Sequence, residues 1–240
     1  MRLTGSMTAL VTPFRDGKVD AEALRRLVDF QIENGTSALV PCGTTGESAT
    51  LTHEEHHEVI RLTVEAANGR VPVIAGTGSN STAEAISLTR EAKRLGADAA
   101  LLITPYYIKP TQEGLYAHYM AVADAVDIPQ ILYNVPARTA VSISPDTVAR
   151  LSDHPNIVAI KEASGSMDYV SQLRSASDIT ILSGNDNLTL PLMALGVSGA
   201  ISVLANVVPR ECADMIDAAL RGDWETARSI HYKTFGLTEA

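Results

Sequence analysis

A lysine at the end of an apolar run is the residue in this sequence best suited to covalent chemistry. Lys161 ends the run 157–161, which is typical of a buried parallel strand. Side chains alternate along a strand, so Lys161 shares a face with Ala159 and lies opposite Ile160. If Ile160 faces a layer of helices, Lys161 faces the interior, where burial lowers the pKa of an amine and makes it nucleophilic. An isolated lysine at a strand end more often extends to solvent, so other polar residues must decide between these interpretations.

Three further groups follow the ends of other apolar runs. The stretch 43–46 reads Gly-Thr-Thr-Gly, a tight turn whose amides and hydroxyls suit a carboxylate, although an ordinary glycine turn has the same composition. Tyr133 can stand beside Lys161, because neighbouring strands lie ~4.8 Å apart, and a phenol there can carry a proton. Arg138, on the loop that follows, can bind a carboxylate through two parallel hydrogen bonds. Together these groups favour a lysine that forms a Schiff base over a solvated one.

The elements that must position these residues alternate between strands and helices. Eight apolar runs predict strands, at 7–11, 38–41, 71–76, 99–104, 129–135, 157–161, 179–184 and 199–203. Between them, Thr52 with Glu55 and Ser81 with Glu84 predict capping boxes that start helices. Strict alternation implies right-handed βαβ units, and eight of them close into a barrel. The predicted fold class is therefore α/β, a (β/α)8 TIM barrel, whose chemistry lies at the C-terminal ends of its strands.

Composition narrows the class of partner. The 240 residues are close to the ~250 typical of such a barrel. The net charge is −9, from 19 basic and 28 acidic residues, and no basic cluster is present, which argues against nucleic acids and anionic membranes. Cys42 and Cys212 form no disulfide framework and suit a reducing cytoplasm. Without a signal peptide or an apolar run of about 18 residues, the chain is predicted to be soluble and cytoplasmic.

Two motifs suggest cofactors only on first inspection. Residues 53–57, His-Glu-Glu-His-His, have the form H-E-x-x-H of zinc proteases, but they occupy the first turn after the Thr52 cap and no further ligand spacing is nearby. Residues 76–80, Gly-Thr-Gly-Ser-Asn, lack the third glycine of a dinucleotide site. We therefore predict neither a metal nor a cofactor.

Five motifs extend this interpretation beyond single residues. They are Gly43-Thr44-Thr45-Gly46-Glu47-Ser48, Thr104-Pro105-Tyr106-Tyr107, Tyr133-Asn134-Val135-Pro136-Ala137-Arg138-Thr139, Lys161-Glu162-Ala163 and Ser183-Gly184-Asn185-Asp186. Over essentially the whole chain they resemble the dihydrodipicolinate synthase family of pyruvate-dependent class I aldolases. The resemblance implies a lyase of the lysine and diaminopimelate branch of amino-acid biosynthesis. It would condense pyruvate with L-aspartate 4-semialdehyde to give 4-hydroxy-tetrahydrodipicolinate.

The resemblance also implies residue roles. Lys161 would form a Schiff base with the keto group of pyruvate. Tyr133 would donate and accept protons, linked through Thr44 to Tyr107, which reaches in from a neighbouring subunit. The remaining substrate contacts would be Thr45 with the amides of the threonine pair for the pyruvate carboxylate, Arg138 for the carboxylate of the second substrate, and Gly184 and the main chain of Ile201 on the pyruvate side. A borrowed tyrosine implies a homo-oligomer, a dimer of dimers in this family.

A regulatory site is implied as well. The positions that bind lysine at a subunit interface in inhibited members of the family correspond to Ala49, His53, His56, Asn80, Glu84 and Tyr106. A carboxylate such as Glu84 suits an amino group. The alternative interpretation of these residues is a capped, solvated helix start.

The resemblance divides the chain into a barrel at 1–222 and the start of a truncated C-terminal helical segment at 223–240. Family members continue beyond residue 240, so the stripe around Trp224 and Phe235 is expected to expose apolar surface. Two alternatives to the synthase activity remain at this point. One is another pyruvate-dependent aldolase, such as an N-acetylneuraminate or keto-sugar acid lyase, and the other is a truncated, inactive pyruvate-binding protein.

Overall fold

The computed structural model describes residues 3–239, in which eight parallel strands form a barrel. The strands are β1 (Gly5–Ala9), β2 (Ala38–Val40), β3 (Ile74–Gly76), β4 (Ala99–Ile103), β5 (Gln130–Asn134), β6 (Ile157–Glu162), β7 (Thr180–Ser183) and β8 (Gly199–Ser202). They pair in the order β2-β1-β8-β7-β6-β5-β4-β3, and a parallel bridge between Leu39 and Val73 joins the two ends. Both the eight predicted strands and the predicted barrel are confirmed.

Ten α-helices accompany the strands within the described residues. They are α1 (Ala21–Glu33), α2 (His53–Ala67), α3 (Thr82–Arg94), α4 (Gln112–Ala125), α5 (Pro136–Thr139), α6 (Pro145–Ser152), α7 (Met167–Ala176), α8 (Thr189–Met193), α9 (Pro209–Leu220) and α10 (Trp224–Thr238). The capping box of Thr52 with Glu55 is present. The second predicted box is wrong: Ser81 caps α3, but the Glu84 carboxylate bonds to Ser79 and His53 instead of returning to the cap. None of the helices between residues 3 and 239 could cross a membrane.

Side-chain alternation separates two apolar layers. Ala159, Ile131 and Tyr133 pack together in the cluster that fills the barrel interior. Ile160 packs in a second cluster, between the outer face of the sheet and residues of the surrounding helices such as Tyr119. Lys161 lies on the same face of β6 as Ala159, because side chains alternate along a strand. Its side chain therefore belongs to the interior.

One element was absent from the sequence-based prediction. Phe14–Arg15 and Lys18–Val19 form a short antiparallel hairpin after β1. Asp16 and Gly17 connect them, with φ of 53° and 74°. Asp-Gly is a strong signal for this kind of turn, but strands of two residues are too short to produce a hydrophobic period.

The last helix packs on its predecessor. Ala227 and Ile230 of α10 contact a buried cluster that includes Ile216 of α9. Trp224 and Phe235 are 37% and 39% exposed, which agrees with the expected apolar stripe. The division of the chain at residue 222 stays a prediction, and residues 1, 2 and 240 of the proposed ranges lie outside the described part.

Candidate active site

Lys161 lies near the C-terminal end of β6 and is almost completely enclosed, with 5% of its surface exposed. The pKa of its amine is lowered from 10.5 to about 8: burial is the largest cause, the charge of Asp186 opposes it, and the charge of Arg138 adds to it. The amine is therefore far closer to its neutral, nucleophilic form at neutral pH than an exposed lysine would be. Gly184 makes room for the side chain, since a Cβ at this position would lie 3.0 Å from Lys161 Cε.

Tyr133 stands beside Lys161. The two residues are register partners on β5 and β6, and Lys161 Nζ lies 4.3 Å from the centre of the Tyr133 ring. Burial raises the pKa of the phenol, while the Thr44 hydroxyl and the charge of Arg138 oppose the rise. The phenol is therefore protonated at neutral pH and can act first as a proton donor.

The threonine turn follows β2 in a constrained backbone. Cys42 has φ of 55°, and a Cβ at Gly76 would lie 2.0 Å from the Cys42 carbonyl oxygen, so only glycine allows the two segments to approach. Gly46 N–H donates to the Gly43 carbonyl and closes the turn. Within the described residues, the amides of Thr44 and Thr45 donate to no backbone carbonyl. They are therefore available to donate to an anion, and the carboxylate-binding role of the turn stays a prediction.

Arg138 lies on the short helix α5, directly after β5, and its side chain is exposed. None of the ion pairs among the described residues involves it. A cavity of about 530 Å³ has Arg138, Tyr133 and Thr44 in its wall. Lys161 is not among the described residues of that wall, but its Nζ lies 4.3 Å from the centre of the Tyr133 ring, which does belong to the wall. A carboxylate in the cavity can thus reach an unpaired guanidinium close to the phenol.

The same cavity extends to five of the six residues of the predicted regulatory site. Ala49, His53, His56, Glu84 and Tyr106 contribute to its wall. Asn80 joins them indirectly, because its side-chain amide donates to the Tyr106 carbonyl at 3.4 Å.

Glu84 is the charged centre of this group. His53 Nε2 lies 3.0 Å from its carboxylate, and Ser79 also bonds to it. The Ser79 hydroxyl, followed by His53, lowers the pKa of Glu84, so the group is a carboxylate at neutral pH. His56 is buried, with Nε2 on the Gly76 carbonyl at 2.8 Å, and burial lowers its pKa.

Six predicted site residues are not part of this cavity wall: Asn80, Lys161, Thr45, Gly184, Ile201 and Tyr107. Ile201 is fully buried on β8, inside the barrel. Tyr107 projects into solvent with 88% of its surface exposed, and its φ of 71° is unusual for a residue with a side chain. No hydrogen bond among residues 3–239 joins the Tyr107 phenol to Thr44 or Tyr133, in keeping with its exposure.

Asp186 is a residue that sequence analysis quoted in a motif without giving it a role. Its carboxylate accepts the N–H groups of Val203 and Leu204, each at 3.0 Å, and its charge favours the protonated form of Lys161. Its sequence signal is its place shortly after β7, where the C-terminal ends of the strands meet.

Comparisons with known proteins agree with this geometry. A family model described as the dihydrodipicolinate synthetase family matches residues 2–240. A relative from Geobacter sulfurreducens named 4-hydroxy-tetrahydrodipicolinate synthase is 60% identical, over 98% of this chain and 82% of its own. The solved dihydrodipicolinate synthase of Acinetobacter baumannii, complexed with pyruvate, is 49% identical with a TM-score of 0.97, and the match covers 99% of this chain and 83% of that one. The enzyme of Cyanidioschyzon merolae, with lysine bound, is 43% identical with a TM-score of 0.95, over 98% and 82% of the two chains.

Proposed function

The chain belongs to the dihydrodipicolinate synthetase family, and we propose that Lys161 carries its reaction, the condensation of pyruvate with L-aspartate 4-semialdehyde to 4-hydroxy-tetrahydrodipicolinate. The observation that supports this role best is a buried amine with a pKa of about 8, whose nitrogen lies 4.3 Å from the centre of a phenol ring. The relative from A. baumannii was solved with pyruvate, the substrate that such an amine would capture.

The proposed reaction proceeds through covalent intermediates on the lysine. The Lys161 amine attacks the keto carbon of pyruvate and water leaves, which forms an imine. Loss of a methyl proton gives an enamine, whose carbon attacks the aldehyde while the aldehyde oxygen takes up a proton. The amino group of the second substrate then displaces Lys161 from the imine carbon, which closes the ring and frees the lysine. Tyr133 is the proposed carrier of these protons, because its hydroxyl is protonated and adjacent.

Two anion sites orient the substrates in this proposal. Thr45 and the free amides of Thr44 and Thr45 hold the carboxylate of pyruvate, with Gly184 and the main chain of Ile201 on the same side. Arg138 receives the carboxylate of L-aspartate 4-semialdehyde at the cavity wall. Because Arg138 pairs with no carboxylate within residues 3–239, binding does not require an ion pair of that part of the chain to break.

Trapping with borohydride tests the proposal. Incubation with pyruvate and borohydride should fix a three-carbon adduct, and peptide mapping should locate it at Lys161. Lys161→Ala should form no adduct, whereas Lys93→Ala, a change at an exposed lysine, should form it at the wild-type rate. An adduct on another lysine, or none with the wild-type protein, would refute the assignment. L-aspartate 4-semialdehyde added before the borohydride should lower the yield of adduct, because it consumes the enamine before reduction.

We also propose that a second copy of the chain completes the proton relay, in a dimer within a dimer of dimers. Tyr107 supports this, because an aromatic side chain that is 88% exposed on a constrained backbone is unusual for a free surface. The expected result is complementation: Tyr107→Phe and Lys161→Ala should each be nearly inactive, and mixed oligomers of the two should regain activity. Activity of Tyr107→Phe at the wild-type level would contradict a relay through this residue.

A lysine effector and a cytoplasmic location complete the proposal. The C. merolae relative binds lysine, and here the Glu84 carboxylate with His53, His56, Asn80, Ala49 and Tyr106 offers an acceptor for an amino group. Cys42 and Cys212 are buried free thiols, which fits a reducing compartment. We further propose that residues 1–222 act as the catalytic barrel and that 223–240 begin a separate helical segment.

A further inference from the structure

Two buried polar side chains directly follow the two proposed catalytic residues. Asn134 comes after Tyr133 at the end of β5, and Glu162 comes after Lys161 at the end of β6. They are 0% and 2% exposed and are register partners. Asn134 Nδ2 donates to Glu162 Oε2 at 2.8 Å. Because side chains alternate, this bond lies outside the barrel while Tyr133 and Lys161 meet inside it.

The other atoms of this pair hold the segments that follow each strand. Glu162 Oε1 accepts the N–H of Ser164 at 2.5 Å, which fixes the turn after β6. Asn134 Oδ1 accepts the N–H of Ile143 at 3.1 Å and the hydroxyl of Ser142 at 3.2 Å. Residues 135–143 thus form a closed loop with both ends tied to Asn134, and this loop carries Arg138.

The cost of the arrangement suggests a purpose beyond stability. Burial raises the pKa of Glu162, and the hydrogen bonds from Ser164 and Asn134 only partly offset that rise. Buried polar pairs are often no more stabilising than well-packed apolar ones of the same volume. A buried polar pair does specify one arrangement, because every donor must face an acceptor.

We propose that Asn134 and Glu162 are positioning residues that set Lys161, Tyr133 and the Arg138 loop in register for the reaction. This inference rests on the proposed function of Lys161. The hydrogen bond between Asn134 and Glu162 joins the ends of β5 and β6. The bonds from Ile143 to Asn134 and from Ser164 to Glu162 attach the Arg138 loop and the turn after β6 to the same pair. A displacement of about 1 Å between reacting groups can cost ~10²-fold in rate, so the link controls catalysis without touching substrate.

An exchange of the two functional groups tests the proposal. In Glu162→Gln alone, the new side-chain NH2 group faces another donor, either the Asn134 amide or the Ser164 N–H. Asn134→Asp alone sets a carboxylate against a carboxylate. In the double variant the new glutamine donates to the new aspartate, and the N–H groups of Ser164 and Ile143 keep an oxygen acceptor. Each single variant should lose about 10–100-fold in kcat, as when a partner that orients a functional group is removed, and the double variant should recover most of the loss.

The matched control is Gln130→Glu. Gln130 lies on the outer face of β5, as Asn134 does, and is fully buried, but its amide donates to the Val122 and Val126 carbonyls. It should lower stability without lowering kcat per folded molecule. If the single variants fold poorly, Ser142→Ala is a milder test, because it removes only the hydroxyl that donates to Asn134 Oδ1. It should raise KM for L-aspartate 4-semialdehyde more than KM for pyruvate.

The outcomes separate the two proposals. Wild-type protein that forms no pyruvate adduct would overturn both. Wild-type protein that forms the adduct, with single variants at the wild-type kcat, would overturn only the positioning role. A double variant that is folded by circular dichroism but no faster than the singles would overturn it as well.

Discussion

Replacing Lys161 with methionine should stabilise the protein at neutral pH while abolishing pyruvate capture. Methionine keeps most of the aliphatic side chain and removes the amine, so no basic group remains at this buried position. The amine has a pKa of about 8 in the folded chain, against 10.5 for an unperturbed lysine. At 1.36 kcal/mol for each tenfold change in proton affinity, the buried amine lowers the free energy of unfolding at pH 7 by about 3 kcal/mol.

The sign of the pH dependence follows from proton binding. Between pH 8 and 10.5 the unfolded lysine is protonated while the folded one is largely neutral, so the unfolded state binds more protons. The free energy of unfolding of the wild-type protein therefore rises with pH across this window relative to that of Lys161→Met. The advantage of the variant is greatest below pH 8 and disappears as the pH approaches 10.5.

Urea denaturation at equal protein concentration measures this difference, because dilution also changes the stability of an oligomer. Both proteins are compared at several values between about pH 7 and pH 10. Lys18→Met, a change at an exposed lysine of the hairpin, serves as the control and should show no pH-dependent gain. A variant no more stable than wild type at pH 7, or an advantage that stays constant with pH, would refute the burial of an uncompensated amine.

Three further substitutions probe other parts of the site. Gly184→Ala should cost about 1–3 kcal/mol and slow adduct formation, because its Cβ would lie 2.7 Å from Ala163 Cβ, whereas Gly236→Ala meets no atom within 4 Å. Stopped-flow trapping would contradict this if both variants captured pyruvate at one rate. Arg138→Ala should preserve the pyruvate half-reaction and raise KM for L-aspartate 4-semialdehyde; equal loss of both steps would remove its proposed role. Glu84→Gln should weaken lysine inhibition without changing turnover in the absence of lysine, and unchanged inhibition would exclude the carboxylate as the acceptor.

Features that depend on local pattern were predictable from the sequence. The strands were found because buried parallel strands are continuous apolar runs. The pairing of Tyr133 with Lys161 followed from two neighbouring strands and the period of two. The box at Ser81 failed because the Glu84 carboxylate, although correctly spaced, bonds to the Ser79 hydroxyl and to His53 of α2 instead.

Contacts between polar or charged groups that are distant in the sequence were not predictable from it. Asn134 and Glu162 are polar residues at strand ends, where a sequence gives no reason to distinguish a buried link from a solvated loop. Burial dominates the lowered pKa of Lys161, and Asp186 and Arg138, from segments distant in the sequence, act on it in opposite directions. A carboxylate bound to Arg138 would offset the effect of that guanidinium and leave the effect of Asp186, so the pKa of the free amine should be higher when the Arg138 site is occupied.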